Sequence, residues 1–278
     1  MQQNNSSMRR KKPKIALVLG SGGAKGFAHI GVIKAFEEAG IKFDMIVGCS
    51  MGAIVGCCYA MGISSSELEN KAISLSNGDV LDVNFPNAYG FVKGNKAERV
   101  IRQFIGAGKT EPQFSDCKIP FACVAADIGK AELVVLKSGP IVPAVRASFS
   151  IGGVFRPVEI DGRKLLDGGV FSRVPVDTAR NLGAEIVIAI DCIGETKEED
   201  MSNYKYSDTI ARVFNIMDYQ VSRAEIKRAD YLISLDQPMV SSIRIKNIED
   251  GIRVGYETTK ANIIEVKNLI QMKKATRI

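Results

Sequence analysis

Two consecutive segments of this chain follow one plan: an apolar run, a turn and an apolar helical pattern. Residues 14–20 read KIALVLG before a glycine-rich turn at 21–26, and residues 43–49 read FDMIVGC before Ser50 and an all-apolar stretch at 51–61. Short β-branched runs closed by glycine are typical of strands buried on both faces of a parallel sheet. The two units therefore predict an α/β fold with a mostly parallel sheet between helical layers.

The rest of the chain continues this alternation. Further strands are predicted at 119–126, 131–137, 185–191 and 231–235, together with a hairpin whose arms, 157–160 and 163–166, are joined by the turn Asp161-Gly162. Helices are predicted at 25–39, 96–105, 143–148, 175–182, 207–228 and 248–272, and the helical segments within 64–118 are expected to form a small cap. No repeat or low-complexity linker divides the chain, which favours one domain at 14–278 behind a disordered basic arm at 1–13.

Composition and charge narrow the function classes. The chain has 278 residues, enough for a buried core, and no apolar run approaches the roughly 18 residues that a membrane span needs. The basic start of the chain lacks the apolar region of a signal peptide, and none of the six cysteines forms a CxxC motif. We therefore expect a cytoplasmic protein with reduced core cysteines. The net charge of +6 fits either peripheral contact with an anionic membrane or a basic surface without a partner, and no RNA-binding or zinc-finger motif supports nucleic acid.

The pentapeptide Gly48-Cys49-Ser50-Met51-Gly52 is a G-x-S-x-G pattern at a predicted strand-to-helix turn. At such a turn the two glycines let the chain bend sharply, so that the hydroxyl of Ser50 projects above the sheet as a nucleophile. The N-terminus of the following helix adds a positive potential that favours a developing anion. The alternative is a turn of small residues that serves packing alone.

The glycine-rich turn GSGGAKG at 20–26 admits three functional interpretations. A phosphate-binding P-loop requires Gly-Lys followed by Ser or Thr, but here Lys25 precedes Gly26. A dinucleotide-binding G-x-G-x-x-G would need glycine where Lys25 stands. The remaining interpretation is an oxyanion hole, in which Gly22 and Gly23 turn backbone N–H groups toward a tetrahedral intermediate. Close packing of helix on strand, without any ligand, is the structural alternative.

A nucleophilic serine needs a base, and the chain contains a single histidine, His29. His29 shares the apolar stripe of its predicted helix, which favours a histidine hydrogen-bonded in the core. The better candidate is Asp167, which ends a predicted strand and is followed by Gly168 and Gly169. Asp-Gly is also a hairpin turn signal, but the earlier pair at 161–162 already fills that role. Strand ends are where the sites of α/β proteins assemble.

Taken in order, the motifs GSGGAKG, GCSMG and DGG within residues 14–191 resemble those of the bacterial patatin-like phospholipase family. The resemblance implies a patatin-type α/β fold in which Ser50 is the nucleophile and Asp167 the base of a Ser-Asp dyad. It makes Gly22 and Gly23 the oxyanion donors, and it implies no cofactor and no metal. The motif glycines that support this site are Gly26, Gly48, Gly52, Gly168 and Gly169.

The resemblance also implies a reaction and a substrate class. Asp167 would accept the proton of Ser50, and water activated by the same carboxylate would release the acyl-enzyme. Members of the family hydrolyse phospholipids, lysophospholipids or other acyl esters, so a lipid acyl ester is the expected substrate. The competing class is a catalytically weak lipid-binding or regulatory module on the same fold.

Three features near the motifs bear on the surroundings of the site. The segment Arg146-Ala147-Ser148 resembles one that lines the family's site. Ser21 stands where many members have a third glycine, which alters the entry to the turn. After the DGG motif many members have asparagine shortly before proline, whereas here Arg173 occupies that region, so a difference in local packing is expected.

Contact with a membrane is expected from the two ends of the chain. The predicted helix at 207–228 carries an apolar stripe, which we expect to pack on the sheet as most such stripes do. Its members are Ile210, Val213, Phe214, Met217 and Val221. The basic N-terminal arm and the C-terminal Lys273, Lys274 and Arg277 are therefore the expected contacts with anionic headgroups.

Overall fold

The computed structural model describes residues 12–80, 82–83, 90–108, 110–195, 198, 200–235 and 248–276. Within these residues eight strands form a single sheet. In chain order they are β1 (Ile15–Leu19), β2 (Met45–Gly48), β3 (Phe121–Asp127), β4 (Glu132–Leu136), β5 (Val158–Ile160), β6 (Arg163–Asp167), β7 (Ile186–Asp191) and β8 (Tyr231–Ser234). Their order across the sheet is β5-β6-β3-β2-β1-β7-β8, with β4 also paired to β3.

The centre of the sheet is parallel and one side of it is antiparallel. β1 pairs in parallel with β2 and β7, and parallel pairing continues to β3 on one side and to β8 on the other. β4 and β6 run antiparallel to β3, and β5 and β6 form the predicted hairpin. Every residue of β1, β2, β3 and β7 is buried, which explains why these strands read as apolar runs rather than as alternating patterns.

Helices cover both faces of this sheet. They are α1 (Ala28–Glu38), α2 (Met51–Ala60), α3 (Ser65–Ile73), α4 (Asn77–Val80), α5 (Asn95–Phe104), α6 (Ile141–Ser148), α7 (Val176–Asn181), α8 (Tyr206–Ile226), α9 (Ile248–Ala261) and α10 (Ile263–Ala275). Side chains alternate across β1: Leu17 joins the larger core cluster with α1 and α2, whereas Val18 joins a smaller cluster with α7. The predicted sheet between helical layers is therefore confirmed.

Two predicted helices differ from those in the structure, one by an interruption and the other in how it begins. The helix predicted at 248–272 is divided into α9 and α10 at Asn262, whose side-chain amide donates to the carbonyl of Thr258 over 2.7 Å. Asparagine competes for backbone hydrogen bonds in this way, which interrupts a helix that its apolar spacing would continue. The helix predicted from residue 25 begins as a 3₁₀ turn, Gly23–Phe27, before α1.

The prediction for the apolar stripe of α8 was wrong. Instead of packing on the sheet, Val213, Phe214, Met217 and Val221 are between 46% and 56% exposed, and Ile210 is 39% exposed. The side of α8 that faces the protein is polar, as described below. Apolar spacing shows that a helix has one apolar face, but not which of its faces meets the core.

The regions expected to contact a membrane are only partly covered by the structure. Residues 1–11 and Arg277 lie outside the described residues. Lys273 forms an ion pair with Asp230 over 3.0 Å. Among the helices that are described, none is both long enough and apolar enough to cross a membrane.

Candidate active site

The G-x-S-x-G segment forms a sharp turn between β2 and α2. Ser50 has a φ of 56° and a ψ of −124°, a backbone conformation that residues other than glycine rarely adopt. Such strain costs on the order of 1–3 kcal/mol and persists only where the surrounding structure enforces it. The backbone N–H of Ser50 donates to Oγ of Ser148 over 3.0 Å, and the residue is 2% exposed.

The two glycines of this segment are required by close contacts. A Cβ atom on Gly52 would lie 2.2 Å from the carbonyl oxygen of Leu19, and one on Gly48 would lie 2.6 Å from Cα of Ala53. Both distances are below any real Cβ contact and both involve backbone atoms that cannot move aside. Gly52 therefore lets the turn pack against the end of β1, and Gly48 lets the chain fold back closely on the start of α2.

The glycine-rich turn after β1 lies directly against the residue that follows Ser50. A Cβ atom on Gly26 would lie 2.4 Å from Cβ of Met51. Gly23 is the first residue of the 3₁₀ turn, with a φ of 50°, and Gly22 directly precedes it. The N–H groups at the start of a helix have no partner within that helix, so these two positions offer hydrogen-bond donors in a turn that packs against Met51.

Asp167 lies at the end of β6, opposite Ala125 of β3. Its carboxylate accepts a hydrogen bond from the N–H of Gly169, whose N lies 2.8 Å from Oδ1, and the side chain of Ser50 is close enough to lower its pKa. The thiol of Cys49 lies 3.7 Å from the same oxygen. Burial raises the pKa of Asp167 to about 6, and these hydrogen bonds oppose the rise. A carboxylate with this pKa is ionised at neutral pH and is a stronger base than an exposed aspartate.

The glycines after Asp167 let the chain pass close to β3. A Cβ atom on Gly168 would lie 2.6 Å from the carbonyl oxygen of Val124, so only glycine fits there. Gly169 supplies the N–H that holds Asp167. The sequence-predicted residues Ser50, Asp167, Gly22 and Gly23 thus belong to three turns that meet at one end of the parallel strands.

The segment that contains Arg146 and Ser148 holds the backbone of both Ser50 and Asp167 in place. Ser148 holds the backbone of Ser50, and the buried guanidinium of Arg146 donates to Oγ of Ser150. The carbonyl of Ser150 in turn accepts from the N–H of Asp167 over 2.8 Å. Arg146 also donates to the carbonyl of Lys93 over 2.9 Å, which connects this framework to the chain just before α5.

Asp218 on α8 is a functional candidate that sequence reasoning missed. A Cβ atom on Gly169 would lie 3.2 Å from Oδ1 of Asp167, 3.8 Å from Oδ2 of Asp218 and 3.9 Å from Oγ of Ser21. Burial raises the pKa of Asp218 to about 7, the negative charge of Asp167 adds to the rise, and Arg173 opposes it.

A signal for Asp218 was present in the sequence. Asn215, Asp218, Ser222 and Glu225 recur at intervals of three or four residues, which places them on one face of α8. That polar stripe was not recognised as the inward face because the apolar stripe beside it was expected to be buried.

Arg173, the second departure from the family pattern, is fully buried. Its guanidinium pairs with Asp191 over 2.6 Å and lies 5.2 Å from the centre of the Tyr219 ring. Its backbone N–H donates to Oγ of Ser222 over 3.1 Å. Arg173 therefore links the end of β7 to the inner face of α8.

His29 is fully buried, and its Nε2 lies 2.8 Å from the carbonyl oxygen of Gly20. Burial lowers the pKa of His29 to about 4, so the ring is neutral at physiological pH. A neutral ring can make this contact only by donating its Nε2–H to the carbonyl. The predicted core histidine is thus observed, and its hydrogen bond holds the first residue of the glycine-rich turn.

An apolar cavity opens beside the serine turn. Gly23 and Met51 line one part of it, and Leu68 of α3, Ile101 of α5 and Phe155 line other parts. The side chains that line this cavity carry no charge. The helical segments expected to form a cap therefore supply one wall of a cavity whose other wall is next to Ser50.

A family model and several known proteins match this chain in sequence. A family model for patatin-like phospholipases matches residues 17–180. Over 198 residues, 68% of this chain, the sequence is 38% identical to patatin-like phospholipase domain-containing protein 6 of Homo sapiens, of which the match covers 14%. Over 184 residues, 66% of this chain, it is 38% identical to an uncharacterised NTE family protein of Mycobacterium tuberculosis, of which the match covers 50%. The chain thus spans half or less of the length of these relatives.

Solved structures share the fold at low sequence identity. VipD from Legionella pneumophila superposes with a TM-score of 0.62 and 15% identity, over 92% of this chain and 67% of VipD. Human GIVD cytosolic phospholipase A2, solved with a fluorophosphonate inhibitor, gives a TM-score of 0.52 and 9% identity, over 95% of this chain and 60% of that one. At these identities the likeness extends to the fold alone.

Proposed function

The chain belongs to the patatin-like phospholipase family, and from this premise we propose that residues 14–278 form one serine acyl hydrolase domain that cleaves acyl esters of lipids. One observation carries the proposal: Ser50 lies on a strained strand-to-helix turn, and its side chain is close enough to the buried carboxylate of Asp167 to lower the pKa of that group. A serine that is held next to a base in this way is the arrangement that nucleophilic catalysis requires.

The proposed reaction begins with attack of Ser50 on the ester carbonyl carbon. Asp167 accepts the proton of the hydroxyl as the new C–O bond forms, and it returns that proton to the departing alcohol when the original ester bond breaks. Water then attacks the acyl-enzyme, with its proton passing to Asp167 and from there to Ser50, and the fatty acid leaves. The pKa of about 6 for Asp167 keeps its carboxylate ionised at neutral pH, where it can serve as the base.

The negative charge of the tetrahedral intermediate needs donors close to Ser50. We assign these to the N–H groups of Gly22 and Gly23, because the turn that contains them packs against Met51. The positive potential at the N-terminus of α2 points to the same place. Loss of one such donor typically costs about 3–4 kcal/mol of transition-state stabilisation.

The apolar cavity indicates what kind of acyl group the site accepts. Its lining by Met51, Leu68, Ile101 and Phe155 offers no polar partner, so a hydrocarbon chain is the ligand that fits. Because Gly23 and Met51 lie at its wall, an acyl chain in the cavity would place its ester group near Ser50. The proposed substrate is therefore an ester of a fatty acid.

Labelling with an alkyl fluorophosphonate tests the proposal. The reagent should form a covalent adduct on the peptide that contains Ser50, and Ser50→Ala should abolish the labelling. Ser65→Ala is the matched control, because Ser65 is also buried, at 4% exposed, but lies on α3. An unlabelled yet folded wild-type protein that binds lipid would contradict the proposal in favour of a catalytically weak lipid-binding module.

A further inference from the structure

The helix α8 is amphipathic in the opposite sense to an ordinary surface helix. One stripe of polar residues, which includes Ser222 and Glu225, faces the protein, whereas most of its large apolar residues are exposed. On the inner side, Ser222 accepts from the N–H of Arg173, and Glu225 accepts from the hydroxyl of Ser172 over 2.7 Å and from the N–H of Asp177 over 2.9 Å. These buried hydrogen bonds fix which side of α8 faces outward.

The outward side carries six large apolar side chains that are between 39% and 56% exposed, namely Ile210, Val213, Phe214, Ile216, Met217 and Val221. Val170 is 50% exposed and belongs to the short turn Gly168–Val170, which contacts α8. We call these seven residues the α8 apolar face. Single exposed apolar residues are common, but a contiguous group of this size usually marks a binding surface.

The exposed charged side chains described on α8 and just after it are basic. Arg223 and Lys227 are exposed on and just after the helix, and no acidic residue whose side chain is described within α8 is exposed. The acidic Glu195 contacts the helix through Tyr219, on the polar side. A wide apolar stripe flanked by basic residues is typical of helices that lie in a lipid–water interface.

We propose that the α8 apolar face docks the protein on the surface of an anionic lipid bilayer. The inner side of the same helix places Asp218 beside Asp167, so docking would bring the catalytic site to the membrane surface. This inference rests on the proposed function for the identity of the substrate, and it deepens that function by naming an assembled lipid surface as the source of the acyl ester.

The chain offers a direct test because it contains no tryptophan. Met217→Trp introduces a single fluorophore on the α8 apolar face, and Met272→Trp is the matched control, because Met272 is 59% exposed on α10 while Met217 is 56% exposed. Both are made in the Ser50→Ala background so that lipid is not consumed. The probes are vesicles of phosphatidylcholine alone and vesicles that also contain phosphatidylserine.

The expected result is a shift of Met217→Trp emission to shorter wavelength on addition of anionic vesicles, with quenching by brominated lipid, and no change for Met272→Trp. Emission at short wavelength before lipid is added would mean that protein already covers this face and would overturn the proposal. In that case, sedimentation of the unlabelled chain would distinguish a second copy from a segment of the same chain.

A second pair of variants measures what the face contributes to affinity. Val213→Asn/Met217→Gln should weaken cosedimentation with anionic vesicles about tenfold, whereas Ile264→Asn/Met272→Gln on α10 should not. Arg223→Gln and Lys227→Gln should each weaken it roughly fivefold and reduce its dependence on anionic lipid.

Activity on a soluble short-chain ester separates this inference from the proposed function. It should be unchanged in Val213→Asn/Met217→Gln, while hydrolysis of vesicle lipid falls. Unchanged vesicle binding in that variant would contradict docking through the α8 apolar face, whereas absence of ester hydrolysis by the wild type would contradict the proposed function alone.

Discussion

Asp167 and Asp218 approach the same point from different elements, the first at the end of β6 and the second from α8. A Cβ atom placed on Gly169 would lie 3.2 Å from Oδ1 of Asp167 and 3.8 Å from Oδ2 of Asp218. Two carboxyl groups this close cannot both ionise without cost, so their protons leave in sequence. Asp167 has the lower pKa, about 6, and Asp218 the higher, about 7.

This order of ionisation predicts a pH profile. For a soluble ester, kcat/KM should rise with pH through about 6, because Asp167 must lose its proton to act as the base. Asp218 is still protonated and neutral in that range. Asp218→Asn should therefore leave the midpoint of the rise within about 0.5 pH unit of wild type. A downward shift of a full unit would instead mean that Asp218 ionises first and that its charge holds the pKa of Asp167 up.

The same pair predicts how stability depends on pH. The folded-state pKa of Asp218 is raised from 3.8 to about 7, so the folded state favours its protonated form. The stability that this preference contributes is fully present below pH 3.8 and is lost as the pH rises through about 7. Asp218→Asn removes that loss. The free energy of unfolding of Asp218→Asn minus that of the wild type should therefore increase by roughly 1–3 kcal/mol from pH 5 to pH 8.

Urea unfolding at the two pH values measures this gain. Asp208→Asn on the same helix is the control, since it changes the same functional group away from Asp167. Equal gains in both variants would mean that the effect is a general one of removing negative charge.

The proposed catalytic pair, Ser50 and Asp167, is tested by two substitutions that change few atoms. Ser50→Ala should remove hydrolysis of a p-nitrophenyl ester, since the covalent step needs the hydroxyl, and Asp167→Asn should be nearly as damaging, since an amide cannot accept the proton. Circular dichroism of both variants checks that they fold. Near-wild-type activity in Ser50→Ala would disprove the assignment of Ser50 as the nucleophile, and a loss of only severalfold in Asp167→Asn would require another base.

Much of the fold and of the proposed site follows from local sequence signals. The two strand–turn–helix units were predictable because apolar runs and glycine turns act within a few residues. The hairpin turn is another case: Asp161 and Gly162 have φ values of 51° and 74°, a conformation that favours these residue types.

What the sequence could not predict depends on which faces meet in the folded chain. Asp218 is 51 residues from Asp167 in the sequence, and only the packing of α8 brings the two together. The orientation of α8 is set by Glu225 and Ser222, whose partners lie in the turn before α7. Periodicity locates an apolar stripe on a helix, but it carries no information about such distant hydrogen bonds.

The single histidine gives a prediction that separates a structural role from a catalytic one. His29→Gln keeps a side-chain donor for the carbonyl of Gly20, so kcat should stay within about tenfold of wild type. Loss of a catalytic base typically costs about 10⁴-fold. A folded but inactive variant would instead indicate that His29 has a catalytic role. The pH profile adds a second check, because a core histidine that stays neutral leaves the rise near pH 6 unchanged.

The apolar cavity predicts that acyl-chain preference can be altered without affecting catalysis. Ala97 of α5 is 3% exposed and lines the cavity, so Ala97→Leu would fill space that a long acyl chain needs. We expect kcat/KM for a p-nitrophenyl ester of a long-chain fatty acid to fall about tenfold, and that for the butyrate ester to stay within about twofold. Arg99→Leu introduces the same residue on the exposed side of the same helix and is the matched control. Thermal unfolding of both variants checks that the core is intact. If Ala97→Leu lowered activity on both esters equally, the cavity would be part of the packing around Ser50 rather than the place where the acyl chain binds.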